Sequence, residues 1–154
     1  MRLTAPTSAR QLDLGLTILR AVTGIIFAAH GGQKLFVFGF DGVAGAFAGM
    51  GIPLAGVVGP AVALLEFLGG LALIAGLLTR PVALGLAATM LGALFLVHLP
   101  AGFFLPNGYE FVLALFGAAA TLAVTGAGRW SLDARLPARR STATDRDRAV
   151  RRAA

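Results

Sequence analysis

The chain of 154 residues is 57% hydrophobic and 13% charged, and its mean hydropathy of +0.83 lies far above the mixture of a water-soluble domain. It holds no cysteine, which excludes disulfides, thiolate nucleophiles, iron–sulfur ligation and thioether-linked haem within this chain. The formal charge of +6 does not mark a nucleic-acid binder, because 8 of the 13 basic residues lie at or beyond Arg129, outside the apolar part, where anionic lipid head groups are the expected neighbours.

Four apolar spans are long enough to cross about 30 Å of hydrocarbon at about 1.5 Å per residue. They run from Leu12 to Phe38, Pro53 to Leu78, Pro81 to Leu99 and Gly108 to Gly126. The sequence therefore predicts an all-α integral membrane four-helix bundle. Arg2 and Arg10 before the first span resemble the start of a cleaved signal peptide. Arg20 interrupts that run and no small-residue cleavage site follows, so the first helix is expected to stay. Gly39-Phe40-Asp41-Gly42 is read as the start of the first loop, Thr79-Arg80-Pro81 as a very tight second turn, and 100–107 as the third loop. Arg2, Arg10, Arg80 and the Arg-rich end share one side, while the first and third loops carry no Lys or Arg, so both termini are expected to be cytoplasmic. This divides the chain into a cytoplasmic segment 1–11, a four-helix domain 12–130, and a cytoplasmic tail 131–154 expected to be disordered after a short amphipathic start.

In the first span, Asp13, Arg20, Thr23, His30 and Lys34 fall within an arc of about 100°, a polar stripe, while Ile18, Val22, Ile25 and Ile26 point elsewhere. The second span carries Glu66 near its middle on one face with Gly59, Ala63 and Gly70, small residues that admit another backbone. An ionised carboxylate at that depth costs roughly 2.5 to 3.5 kcal/mol unless paired, and Arg20 is its expected partner, primarily as a structural tie between helices. The fourth span begins with Glu110 and continues with Ala114, Gly117 and Thr121 on a face expected to pack inward.

By this topology His30, Lys34, His98 and Glu110 lie at one outer depth, with Glu110 the expected acidic partner of the others. Together they form a candidate outer-leaflet site for a quinone or for proton transfer. Gly31 and Gly32 clear space beside it for the fourth helix or a ligand. Taken singly, each residue has a plainer explanation: Lys34 snorkels to the interface, the histidines bond across helices, Arg80 marks the cytoplasmic side, and Tyr109 and Trp130 anchor the fourth helix. A two-His-one-carboxylate metal site or a bis-histidine haem would need His30 and His98, and two histidines are a thin basis for either, so no metal is assigned. No glycine-rich phosphate loop, nucleophile elbow or metalloprotease helix motif is present. A faint echo between His30 with Asp41-Gly42 and His98 with Asn107-Gly108 suggests a two-plus-two arrangement of helices.

The run RAVTGIIFAAHGGQKLF from Arg20, the GMGIP ending at Pro53, EFLGGLALIAGLLTR from Glu66 to Arg80 and GYE from Gly108 resemble, in order and spacing, the DoxX family of small bacterial membrane proteins. The resemblance spans about residues 12 to 133. It implies a four-helix protein of the bacterial cytoplasmic membrane, and a place as a quinone-linked subunit of a redox complex, partnered by a soluble or membrane redox enzyme and not catalytic alone. Relatives in the family resemble a subunit named for thiosulfate oxidation, or partners of superoxide dismutase and sulfurtransferase. No separate sulfur-handling residue is present here, so thiosulfate chemistry is not carried over. The competing expectation is a non-catalytic membrane scaffold or small-solute permease whose buried charges only fix the packing. No intrinsic cofactor and no nucleic-acid partner are expected; quinone is the candidate ligand.

Overall fold

A computed structural model describes residues 8–136; the first seven residues and most of the predicted tail, 137–154, lie outside it. The described residues are helical, without strands. Helix α1 runs Ala9–Gly32, α2 Gly39–Gly49, α3 Ala55–Ala75, α4 Thr79–Ala93 and α5 Glu110–Thr125. Three helical stretches, Ala9–Gly49, Ala55–Ala75 and Thr79–Ala101, are long and apolar enough to cross a membrane, and α5 is a shorter apolar helix.

Helix α1 starts three residues before the predicted Leu12 because Ser8 and Gln11 form a capping box, the Ser8 hydroxyl accepting the Gln11 N–H at 3.3 Å and the Gln11 side chain accepting the Ser8 N–H at 2.8 Å. Beyond Gly32 the helix widens into a π-helical turn, Gln33–Phe38, which ends at Gly39 with φ +68°. The predicted first loop is not a loop at its start. From that glycine an eleven-residue helix, α2, continues along α3, with Asp41 in its first turn. Its Val43 is buried against Gly59 of α3, a contact that glycine-rich composition hid from the sequence reading.

Helices α1 and α3 run antiparallel, with backbones in contact. Gly24 faces the Gly70 carbonyl and Ile74, and Gly31 faces Phe67. Helix α3 ends at Ala75 with Gly76 at φ +69°, short of the predicted Leu78. Helices α4 and α5 form the second hairpin. Ala83, Leu86, Ala87 and Met90 meet Val112, Leu115, Ala119 and Leu122 in a core that Phe27 and Leu73 complete. The inward face of α5 is therefore its bulky one. Ala114, Gly117 and Thr121, expected to pack inward, are exposed instead, because the small residues of α4 leave room that only branched side chains fill. On α3 the expected face of Gly59, Ala63, Glu66 and Gly70 is buried, and on α1 Ile18, Val22 and Ile25 are exposed. The described helices pack as two antiparallel hairpins, with Asp41-Gly42 in helix α2 and Asn107-Gly108 in the loop before α5.

Where α3 turns into α4, the segment 131–136 packs against the turn. Asp133 accepts the Leu78 N–H at 2.7 Å and the Thr79 N–H at 2.9 Å, so a residue more than fifty positions away supplies the acidic cap of α4. Replacing Asp133 by Ala is expected to cost about 1 kcal/mol, read as a lower midpoint of denaturant unfolding in detergent, and Asp133→Asn is expected to keep only one of the two bonds, because its amide has a single acceptor oxygen.

Candidate functional site

The polar residues of α1 separate into two groups at opposite ends of the bundle. At one end Asp13 accepts the Arg129 N–H at 2.9 Å, and the Arg20 guanidinium donates to the carbonyls of Leu73 (3.1 Å), Ile74 (2.7 Å) and Trp130. The carbonyls at the end of α3 lack the partners a continuing helix would give, beyond the Gly76 N–H on Leu73, and the buried guanidinium donates to them at the negative end of the helix dipole. Arg20 does not pair with Glu66. Helix α1 protrudes beyond the end of α3, so Arg20 is level with residues 73–76, and Glu66 lies about two helical turns deeper, about 12 Å away along the axis.

At the other end Glu66, 3% exposed, pairs with Lys34. Two local features create this pair. Gly31 carries no side chain where Phe67 presents its backbone nitrogen, which brings the helices together one turn before Lys34. The π-helical turn that contains Lys34 then resets the direction of its side chain relative to a regular α-helix. Gly32 lies over the Phe67 ring, so both glycines serve the α1–α3 contact and not an approach by α5.

Lys34 and Glu66 line a cavity of about 530 Å³ whose other walls are mainly apolar, among them Phe27, Phe47, Val62 and Met90. His30 and His98 also line it. The His30 ring lies 6.1 Å from the Phe111 ring of α5, centroid to centroid. His98 closes a second π-helical turn, Leu94–His98, and its Nδ1 bonds the Asn107 carbonyl oxygen at 2.9 Å. The structure thus gathers three members of the predicted outer cluster around one cavity and adds Glu66. Glu110 is not among the lining residues. Its carboxylate accepts the Leu105 N–H at 2.8 Å and closes the loop before α5, so it pairs with neither Lys34 nor His98. Among the described residues no group of three His, Asp or Glu side chains is placed to hold a metal ion, which separates His30, His98 and Glu110 as ligands.

Glu66 as the acid of the cavity was signalled in the sequence by its small-residue face; its partner was not. Short helix α2, which brings Phe47 to the wall, carried no signal the loop reading used. A cavity of this size, apolar with a few converging polar groups, falls in the range of small-molecule sites, and it is built between helices of a membrane bundle.

Fold and cavity together define a multi-pass helical membrane protein with a charged pair buried against an apolar pocket. The DoxX family model matches residues 15–99, and the chain belongs to the DoxX family. It is 33% identical over 80% of its length to "Putative oxidoreductase CatD" of Bacillus subtilis (strain 168), covering 88% of that protein. It is 35% identical over 79% of its length to "Inner membrane protein YqjF" of Escherichia coli (strain K12), covering 91% of it. With "Uncharacterized membrane protein Rv3486" of Mycobacterium tuberculosis (strain ATCC 25618 / H37Rv) it shares 35% identity over 81% of its length and 82% of the relative's. No solved structure matches. The protein is a multi-pass bacterial membrane protein.

Proposed function

We propose that this protein is a membrane subunit of a quinone-linked redox complex, and that the cavity at the Lys34 end holds the ring of the quinone. The observation that carries the reading is the Lys34–Glu66 pair set in the wall of an apolar cavity that His30 and His98 also line. The printed name of the Bacillus subtilis relative, an oxidoreductase, agrees with it. The apolar walls suit a ring with an isoprenoid or alkyl tail. Lys34 is placed to donate a hydrogen bond to a ring oxygen, and Glu66 beside it to hold or release a proton there. A bound quinone supplies two-electron chemistry, and the chain itself contributes binding, orientation and proton handling. Electrons pass to or from a partner redox enzyme, and by the distribution of basic residues the cavity faces the outer leaflet.

The full chain in detergent is expected to bind a short-tailed benzoquinone by calorimetry, with affinity falling at least about tenfold in Glu66→Gln and in His30→Ala. Glu110→Gln changes it less than about threefold, since a carboxamide oxygen still accepts the Leu105 N–H. No binding by any of several quinones overturns the reading in favour of a non-catalytic scaffold or permease, which needs the Arg20 ties but no ligand in the cavity. Pull-down from native membranes identifies the redox partner.

A further inference from the structure

The hydrogen bond made by His98 determines what the other edge of its ring offers. The Asn107 carbonyl oxygen can only accept, so the bond of 2.9 Å requires that Nδ1 carry the hydrogen. In a neutral imidazole with Nδ1 protonated, Nε2 is a bare acceptor. His98 lines the cavity and Asn107 does not, so with Nδ1 engaged by Asn107, Nε2 is the ring nitrogen left to address a ligand there. The ammonium of Lys34, on the opposite hairpin, is a donor beside the Glu66 carboxylate, an acceptor. On the two hairpins the walls therefore hold a donor with an adjacent acceptor, Lys34 and Glu66, and an acceptor, His98, while His30, its ring beside that of Phe111, also lines the cavity.

A quinone ring has two carbonyl oxygens and no donor. One of them can accept from Lys34, but the other, where it is turned toward His98 Nε2, meets a lone pair and gains no hydrogen bond from that residue. A hydroquinone ring has two hydroxyl groups, each both donor and acceptor. One can donate to His98 Nε2, and the other can accept from Lys34 while donating to Glu66. A site that leaves a buried polar group unpaired discriminates strongly against the ligand responsible.

We infer that the cavity selects the reduced, dihydroxy form of its ring ligand over the oxidised form, with His98 as the residue that sets the preference. This rests on the quinone reading above. It assigns the hydroquinone as the species held in the resting site, whichever direction electrons then take.

The test compares two probes on the full chain in detergent, a short-tailed benzohydroquinone kept reduced under anaerobic conditions and the matching benzoquinone, with both dissociation constants measured by calorimetry. The hydroquinone is expected to bind at least about tenfold more tightly. In His98→Phe, which keeps a ring but removes the acceptor, the ratio falls below about threefold. Equal affinities, or tighter binding of the quinone, overturn the inference and leave the cavity reading standing. A hydroquinone preference that survives intact in His98→Phe overturns the assignment to His98. Failure of both probes to bind removes the quinone reading and the inference with it. The comparison within the parent protein needs no variant, so a poorly folding His98→Phe does not remove the test.

Discussion

Gly31→Ala is expected to be among the most damaging single changes in this chain, lowering stability by about 3 kcal/mol and weakening ligand binding with it. A methyl group there lies 2.2 Å from the Phe67 backbone nitrogen and 2.7 Å from its Cα. Those atoms belong to the backbone of α3, which cannot swing aside as a side chain can, so the two helices must separate. The separation acts one turn before Lys34 and on the residue next to Glu66, and pulls the charged pair apart. Gly117→Ala supplies the control, because nothing lies within 4 Å of a methyl group at that position. Alanine is favoured over glycine inside a helix by roughly 0.5 to 1 kcal/mol, so Gly117→Ala is expected to be neutral or slightly stabilising. Denaturant unfolding of the two variants in the same detergent checks both. Equal effects at positions 31 and 117 would show that the close approach of α1 and α3 is not what the glycine provides.

The contrast between these two glycines marks what the sequence could and could not disclose. Apolar length and the placement of Pro and Gly were enough for the helices of the bundle, because in lipid every backbone group must be satisfied within the segment and few alternatives exist. Which glycines lie in contacts was not legible: Gly31 and Gly117 both interrupt apolar helices, and only the register of the neighbouring helix distinguishes them. Register also explains the Arg20 error. The sequence reading measured depth from predicted helix ends as though the inner ends of α1 and α3 were level, whereas α1 protrudes beyond α3 and Arg20, well inside α1, lies beside the last residues of α3. In an antiparallel pair a stagger of the ends shifts every partner across the contact, so taking the ends as level carries Glu66 from Lys34 to Arg20. The cavity itself needed α2, and α2 was hidden because Gly, Asp and Phe at its start read as loop chemistry. Neither π-helical turn has a period that a search for 3.6-residue patterns detects. The polar residues of the site were legible by type, since charge in an apolar span is costly and must be accounted for, but their pairing was a property of packing.

The last expected result separates that pairing from its alternative. Glu66→Ala leaves the Lys34 ammonium against an apolar wall without its partner, and removing one member of a buried pair costs about 3 kcal/mol, the lower end of the usual range because the Lys34 side chain retains 23% exposure. The double replacement Lys34→Met with Glu66→Leu removes both charges and fills similar volume, so most of the lost stability is expected to return. A double-mutant cycle on Lys34 and Glu66 is then expected to give a coupling of at least about 1 kcal/mol, whereas the cycle on Arg20 and Glu66 stays within about 0.5 kcal/mol, because Arg20 bonds backbone carbonyls at the far end of α3. Ligand binding adds a second axis to the same variants. If the pair exists only to hold the helices together, the apolar double variant folds and binds a benzoquinone as the parent does. If the pair addresses the ring, as proposed, the double variant recovers its stability and not its affinity. Coupling between Arg20 and Glu66 that exceeds the coupling of Lys34 with Glu66 would overturn the register of α1 on α3 from which the whole site is built.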